Sequence, residues 1–287
     1  MPFTRAIRLT IGALLAAVAA ACAPLSVDQE RSMGADFSRD FNRRTALVRD
    51  PAVVGYVSAI GERLLKHAGP QPFTYRFHVV PKAEVNAFAA PAGYIYIHTG
   101  TILKARNVSE LAGVIAHEIG HVARRHIANN FNRALATHIL HEAGVVAAEV
   151  AAGPRAGRAA RSLGGFAAMG YLNTFSREAE HEADGFAVQL MFKAGFDPGG
   201  LTAFFETLRK EGRSSVPAFL RSHPATTERI AHTRAMIRRL PSEGRLERHD
   251  NGRLQQVQGL LLSRKQDSRN SIRSSKMKGA LSRAWEP

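Results

Sequence analysis

Hydrophobic and polar positions repeat with two different periods along this chain, and the changes of period mark its elements. Met33, Phe37 and Phe41 stand four apart in the polar, arginine-rich stretch 23–50, which predicts a short helix packed on the domain by one face. After Pro51, Val53, Val54, Val57, Ile60, Leu64 and Leu65 recur at helical spacing until Gly69-Pro70-Gln71-Pro72 stops the helix. From Tyr75 to Val80 the pattern alternates, as in a strand. Asn86-Ala87-Phe88-Ala89 follows. Then comes the aromatic and β-branched run Gly93-Tyr94-Ile95-Tyr96-Ile97-His98-Thr99-Gly100, whose bounding glycines predict a hairpin strand. Helical spacing returns with Leu111, Val114, Ile115, Ile119 and Val122, behind Asn107 as N-cap and Glu110 where a capping box places its acid.

The second half is mostly helical in pattern. Ala134 to Ala152 is apolar but carries His138, His141, Glu142 and Glu149, so it reads as a poor bilayer span, and the histidine pair reads as structural. Gly153 to Gly170 reads as a mobile connection or lid. A helix opens at Ser176 and runs through Phe186, Leu190 and Met191 to Gly195. The turn Asp197-Pro198-Gly199-Gly200 leads into an amphipathic helix bearing Leu201, Phe204, Phe205 and Leu208, and Glu228 to Leu240 forms a basic helix. The expected class is α+β, mostly helical, with a small sheet flanking the helix after Asn107. Residues 241–287 hold ten Lys or Arg against five Asp or Glu and few apolar positions, which predicts a basic, flexible tail with one short helix.

Composition narrows the class. With 287 residues, 45% hydrophobic and 22% charged, the chain can bury one substantial core. The net charge of +15 favours contact with anionic surfaces such as phospholipid or lipopolysaccharide. It is spread along the chain without a nucleic-acid-binding module, so no nucleic-acid partner is expected. Cys22 is the sole cysteine, which excludes an intramolecular disulfide. Its setting is informative: Arg5 and Arg8 precede an uncharged apolar run from Leu9 to Ala21 that ends in Ala19-Ala20-Ala21-Cys22. This resembles the export signal and lipobox of bacterial lipoproteins, implying cleavage before Cys22 and acylation of its thiol. Ala23 after it leans towards the outer membrane. The expected divisions are therefore a signal peptide over 1–21, a lipid-anchored segment over 22–50, the main domain over 51–240 and the tail over 241–287.

The chemistry concentrates in two helices. His117-Glu118-Ile119-Gly120-His121 is an H-E-x-x-H motif. Histidines four apart project from one helical face and supply half of a tetrahedral zinc shell. Glu118, rotated by about 100° from His117, stands beside the metal as a general base for the hydrolytic water. In Ser176-Arg177-Glu178-Ala179-Glu180-His181-Glu182-Ala183-Asp184, Glu180 and Asp184 share a face, and can supply a third ligand and a hydrogen-bond acceptor for a ligand histidine. On spacing alone Glu178, His181 and Glu182 compete for these roles.

Together these motifs resemble the HtpX and CAAX-prenyl-protease family of zinc metalloendopeptidases, metallopeptidase family forty-eight, of the gluzincin type. Asn86-Ala87-Phe88-Ala89, Gly93-Tyr94-Ile95, Thr99-Gly100 and Ser222-His223-Pro224 with Arg229 carry the same resemblance, which spans roughly residues 50–240. It implies one zinc ion per chain on His117, His121 and Glu180, with Asp184 supporting the site. His223 and Arg229 would face the cleft, His223 either stabilising the transition state or capping the zinc to hold the enzyme latent. A peptide would lie extended against the Tyr94–Ile97 strand, touching Asn86, Ala87, Tyr94 and Ile95. The paired transmembrane segments of the integral-membrane members and a tetratricopeptide region are not evident, so the likeness is to compact, lipid-anchored periplasmic members. The implied work is cleavage of misfolded or misassembled envelope proteins. The alternative is a protease-fold chaperone or latent binder, against which the intact Glu118 argues.

Overall fold

The computed structural model describes residues 25–134, 175–211, 216–241, 246–264 and 266. Cys22 and the export signal, His138, His141 and the 153–170 connection lie outside the described residues. The order is α1 (Val27–Arg44), α2 (Pro51–Leu65), β1 (Arg76–Val80), β2 (Ala87–Ala90), a 3-10 turn (Pro91–Gly93), β3 (Tyr94–His98), α3 (Thr99–Lys104) and α4 (Val108–Ala123). After it come α5 (126–134), α6 (Arg177–Lys193), α7 (Gly199–Glu211), α8 (Ala218–Ser222), α9 (Thr227–Arg238) and α10 (253–264). This is the expected mostly helical α+β architecture. None of the described helices is long and apolar enough to cross a membrane.

Helix α4 is the axis of the fold. Every residue from Val108 to Val122 is buried, so the helix is covered on all sides rather than along one stripe. Two glycines permit that enclosure. A Cβ at Gly113 would stand 2.8 Å from Leu201 Cα, and one at Gly120 would stand 3.0 Å from the Ala183 carbonyl oxygen. The backbones of α7 and α6 therefore lie directly against α4. Asn107 caps the helix by accepting from the Glu110 amide at 3.0 Å. The reciprocal half of the capping box is absent: the Glu110 carboxylate accepts instead from the Arg106 amide at 2.9 Å and its guanidinium at 2.8 Å.

The sheet has the order β1-β3-β2. β3 pairs parallel with β1 and antiparallel with β2, Ile95 standing opposite both Phe77 and Ala89. The expected peptide-binding strand is thus the central one. Both of its hydrogen-bonding edges are occupied, so Tyr94 and Ile95 cannot pair with an incoming chain, and the edge towards the cleft belongs to β2. One face of the sheet packs on the main core through Val79, Ala87, Ile95 and Ile97. The other is covered by α1, a longer helix than the sequence suggests. Its Phe41 meets Phe88 and Tyr96 edge-on at 5.5 and 4.7 Å between ring centres. The Tyr96 hydroxyl reaches Ser38 and Asn42.

The described part of the C-terminal segment is packed rather than solvated. Leu254, Val257 and Leu261 of α10 enter the main core. Polar fasteners flank them: Tyr56 donates to Asp250 at 2.5 Å, Gln258 donates to the Ile102 and Ala105 carbonyls, and Arg63 pairs with Glu247. Three apolar positions at helical spacing suffice to dock a helix, and the surrounding polar residues mask that signal in composition. Leu254→Ala should destabilise the fold by about 2–5 kcal/mol, read as a lower urea midpoint. A change under about 0.5 kcal/mol would show that α10 is not part of the core.

Candidate active site

Four side chains from three segments converge beside α4. His117 and His121 project from consecutive turns of that helix, Glu180 comes from the first turn of α6, and His223 ends α8. All four are buried, and together they form a group that could hold a metal ion. His117 Nε2 lies 3.0 Å from His121 Nε2, 3.4 Å from Glu180 Oε2 and 3.3 Å from His223 Nδ1. Glu180 Oε1 lies 3.5 Å from His121 Nε2 and 2.8 Å from His223 Nδ1. A tetrahedral zinc with bonds of about 2 Å spaces its donors by roughly 3.3 Å. The donor set is also right chemically. Imidazole lone pairs and a carboxylate facing one another in a buried space repel unless a cation or proton lies between them. The residues therefore fit a divalent metal.

Behind these groups the ring orientations are fixed. His117 Nδ1 lies 3.0 Å from Asp184 Oδ1, one turn along α6 from Glu180. Asp184 in turn receives Arg229 Nε at 2.5 Å and Nη2 at 2.8 Å, and the Thr233 hydroxyl at 3.3 Å. Arg229 Nη1 sits 2.5 Å from Glu180 Oε2. Arg229 is 2% exposed, with its donors spent on Asp184, Glu180 and the Pro224 carbonyl. It does not face the cleft as the resemblance implies; it braces the two acids from behind. Those contacts set the titration of the site. Burial disfavours ionising Asp184, but the Arg229 charge outweighs it and holds the carboxyl below its ordinary range. Burial likewise opposes charging His117, yet its bonds to Asp184 and Glu180 push it up to about 9. His121 goes the other way, well below the ordinary imidazole range, through burial and the neighbouring His117.

Glu118 is fully buried, and neither carboxylate oxygen has a side-chain hydrogen-bond partner. Its Oε1 is 3.6 Å from His223 Nε2, and the Ala89 amide of β2 is the backbone group that helps hold its charge. Burial raises its affinity for a proton, with His223 and His117 acting against that rise. A carboxylate so placed is suited to take up and return a proton.

A cavity of about 840 Å³ opens in front of His223 and the β2 edge. Asn86, Phe88 and Ala89 line it, as do Met33 and Phe37 of α1, Ile127 and Phe131 of α5, and Phe175. Of the expected peptide-contacting residues, Asn86 borders this cleft. Ala87 is buried on β2, while Tyr94 and Ile95 lie one strand behind it.

Comparison with known proteins decides the family. A model described as peptidase family M48 matches residues 51–237, well over half of the chain. The chain belongs to peptidase family M48. The putative beta-barrel assembly-enhancing protease of Vibrio cholerae is 36% identical over 225 residues, covering 76% of this chain and 46% of the relative. The beta-barrel assembly-enhancing protease of Escherichia coli K12 is 32% identical over 214 residues, covering 73% and 44%. Metalloprotease LoiP of the same organism is 33% identical over 180 residues, covering 62% and 68%. The chain thus spans a little under half the length of the two assembly-enhancing proteases. The M48 match begins at Pro51 and stops before α10, so α1 and α10 pack on the family domain from outside the matched range.

Sequence reasoning passed over one residue of this M48 site. His126 lies five positions beyond His121, where helical spacing would turn it away from the cluster. The chain bends at Arg125, φ +54°, and returns His126 to contact His121. The only sequence signal was a third histidine close behind the motif. Among the residues that were expected, Asp184 gives the sharpest test. Asp184→Asn should weaken zinc binding by about 10–100-fold in competition with a chromophoric chelator, while also lowering thermal stability by leaving Arg229 half-paired. Unchanged zinc affinity would remove Asp184 from the metal site.

Proposed function

We propose that this chain is a zinc-dependent metalloendopeptidase, with His117, His121 and Glu180 holding one zinc ion and Glu118 as the general base. The observation that carries this reading is a buried carboxylate without a side-chain hydrogen bond, Glu118, set against a converging His-His-Glu donor set. Zinc in that site supplies Lewis acidity to the scissile carbonyl and to the hydrolytic water. Glu118 takes the proton of that water and passes it to the leaving amine, a role worth about 10²–10⁴-fold in rate. The Ala89 amide steadies the ionised form of Glu118. Asp184 fixes the His117 ring so that Nε2 faces the cluster, and Arg229 keeps Asp184 ionised. The scissile segment lies along the β2 edge in the cleft, not along β3.

His223 deepens the reading. Its Nδ1 stands within 3.3 Å of His117 Nε2 and 2.8 Å of Glu180 Oε1, inside the donor set and in front of Glu118. Catalytic zinc sites keep one position open for water or substrate. His223 would close that position as a fourth ligand, so this arrangement would be the latent one, and hydrolysis would require His223 and α8 to withdraw. Among the alternatives in the sequence, the distances favour a latch over an oxyanion donor.

The likeness to proteases named for beta-barrel assembly favours misassembled envelope proteins as substrates. The motif at Ala19-Ala20-Ala21-Cys22 favours a periplasmic enzyme anchored by acylated Cys22 at the outer membrane, whose anionic surface a net charge of +15 would approach.

The test is casein cleavage by the protein with zinc content measured alongside. Glu118→Gln should keep its zinc and lose cleavage; cleavage at the wild-type rate would defeat the mechanism. His223→Ala should raise basal cleavage. A fall in cleavage with zinc retained would make His223 a participant in the reaction instead of a latch.

A further inference from the structure

His117 owes its orientation to Asp184, but among the described residues His121 has no carboxylate behind it. Its Nδ1 faces His126 Nδ1 at 3.1 Å. The far nitrogen of His126, Nε2, lies 3.2 Å from Glu182 Oε2. His126 is 5% exposed, whereas the Glu182 side chain reaches solvent. Three side chains thus form a line from the donor set to the surface of α6.

The proton positions along this line are determined from both ends. His121 turns Nε2 into the donor set, 3.0 Å from His117 Nε2 and 3.5 Å from Glu180 Oε1. A histidine ligating through Nε2 carries its remaining proton on Nδ1. That proton has His126 Nδ1 as its acceptor, so His126 Nδ1 presents a lone pair. At the other end an ionised Glu182 can only accept, so His126 Nε2 carries the hydrogen. Both ends assign His126 the same neutral Nε2–H form.

The local backbone is arranged for this contact. Helix α4 ends at Ala123, and Arg125 adopts a left-handed conformation that residues with side chains seldom take. It is held there by Glu30 of α1, fully buried, at 2.8 Å from Arg125 Nε, and by the Leu25 carbonyl. Without that bend, α4 would continue and carry position 126 around the helix, away from position 121.

We propose that His126 is the positioning residue for His121: it accepts the Nδ1–H of that ring, is itself oriented by Glu182, and so aims His121 Nε2 at the metal. The proposal rests on the reading of this cluster as a zinc site. It assigns His126 no contact with substrate or metal.

Three measurements test it. In zinc-loaded protein labelled with ¹⁵N-histidine, the imidazole spectrum should show His126 as the Nε2–H tautomer and His121 as the Nδ1–H tautomer. A proton on His126 Nδ1 would overturn the proposal without any substitution. In competition with a chromophoric chelator, His126→Leu should bind zinc about 10–100-fold more weakly. His126→Asn, whose Oδ1 can accept where Nδ1 did, should return affinity close to that of the wild type. The visible absorption of the cobalt-substituted protein should change with Leu and be restored with Asn. Equal zinc affinity in wild type and His126→Leu would defeat the role of His126 alone. Failure of the wild type to bind zinc or cobalt would defeat the metal-site reading, and this inference with it.

Discussion

The bidentate ion pair between Arg229 and Asp184 is the contact on which the rest of the site depends. Seven ionisable side chains, Glu118, Glu180, Asp184, His117, His121, His223 and Arg229, are buried together. Charges of one sign would not stay charged there. Arg229 reaches both Asp184 and Glu180. Against burial, its charge holds Asp184 ionised, while His223 and His117 hold Glu180 ionised. Asp184 then fixes His117. The order of dependence runs from the last helix of the family domain back to the H-E-x-x-H helix, opposite to the order in which the chain is read.

The enclosure of α4 follows from the same requirement. A motif helix at the surface would leave its histidines in water, with weak fields and free rotation. Gly113 and Gly120 bring the α7 and α6 backbones into contact with it, and the sheet lies along another side. Burial on this scale makes the helix rigid and its side-chain directions definite. It also leaves Glu118 without competing partners, which suits a group that must exchange protons.

Much of this was legible in the sequence because it depends on local periodicity. The boundaries of α2, β1, α4 and α6 follow from apolar spacing, caps and breakers, and helical spacing places His117 and His121 on one face; the choice of Glu180 over Glu178, His181 and Glu182 rests on the family resemblance. The failures concern relations between elements. Which of three strands lies in the middle is a matter of pairing, and the glycine-bounded Tyr94–His98 run carries the same alternation whether central or at an edge. The family resemblance places Arg229 facing the cleft, because its buried acceptors, Asp184 and Glu180, leave no mark in the local pattern around it. His126 escaped notice because a single left-handed residue, Arg125, breaks the helical phase after the motif. The docking of α10 rests on Leu254, Val257 and Leu261, too few to stand out in a basic tail.

The Glu30–Arg125 contact also bears on where the chain can be cut down to a smaller piece. The family match starts at Pro51, and a fragment trimmed to it would look complete by sequence. It would lack Met33 and Phe37 from the wall of the cleft, and Glu30 from the bend that follows the H-E-x-x-H helix. A shortened recombinant chain should therefore begin before Leu25, whose carbonyl also holds Arg125. The folded unit of this chain is larger than its family match.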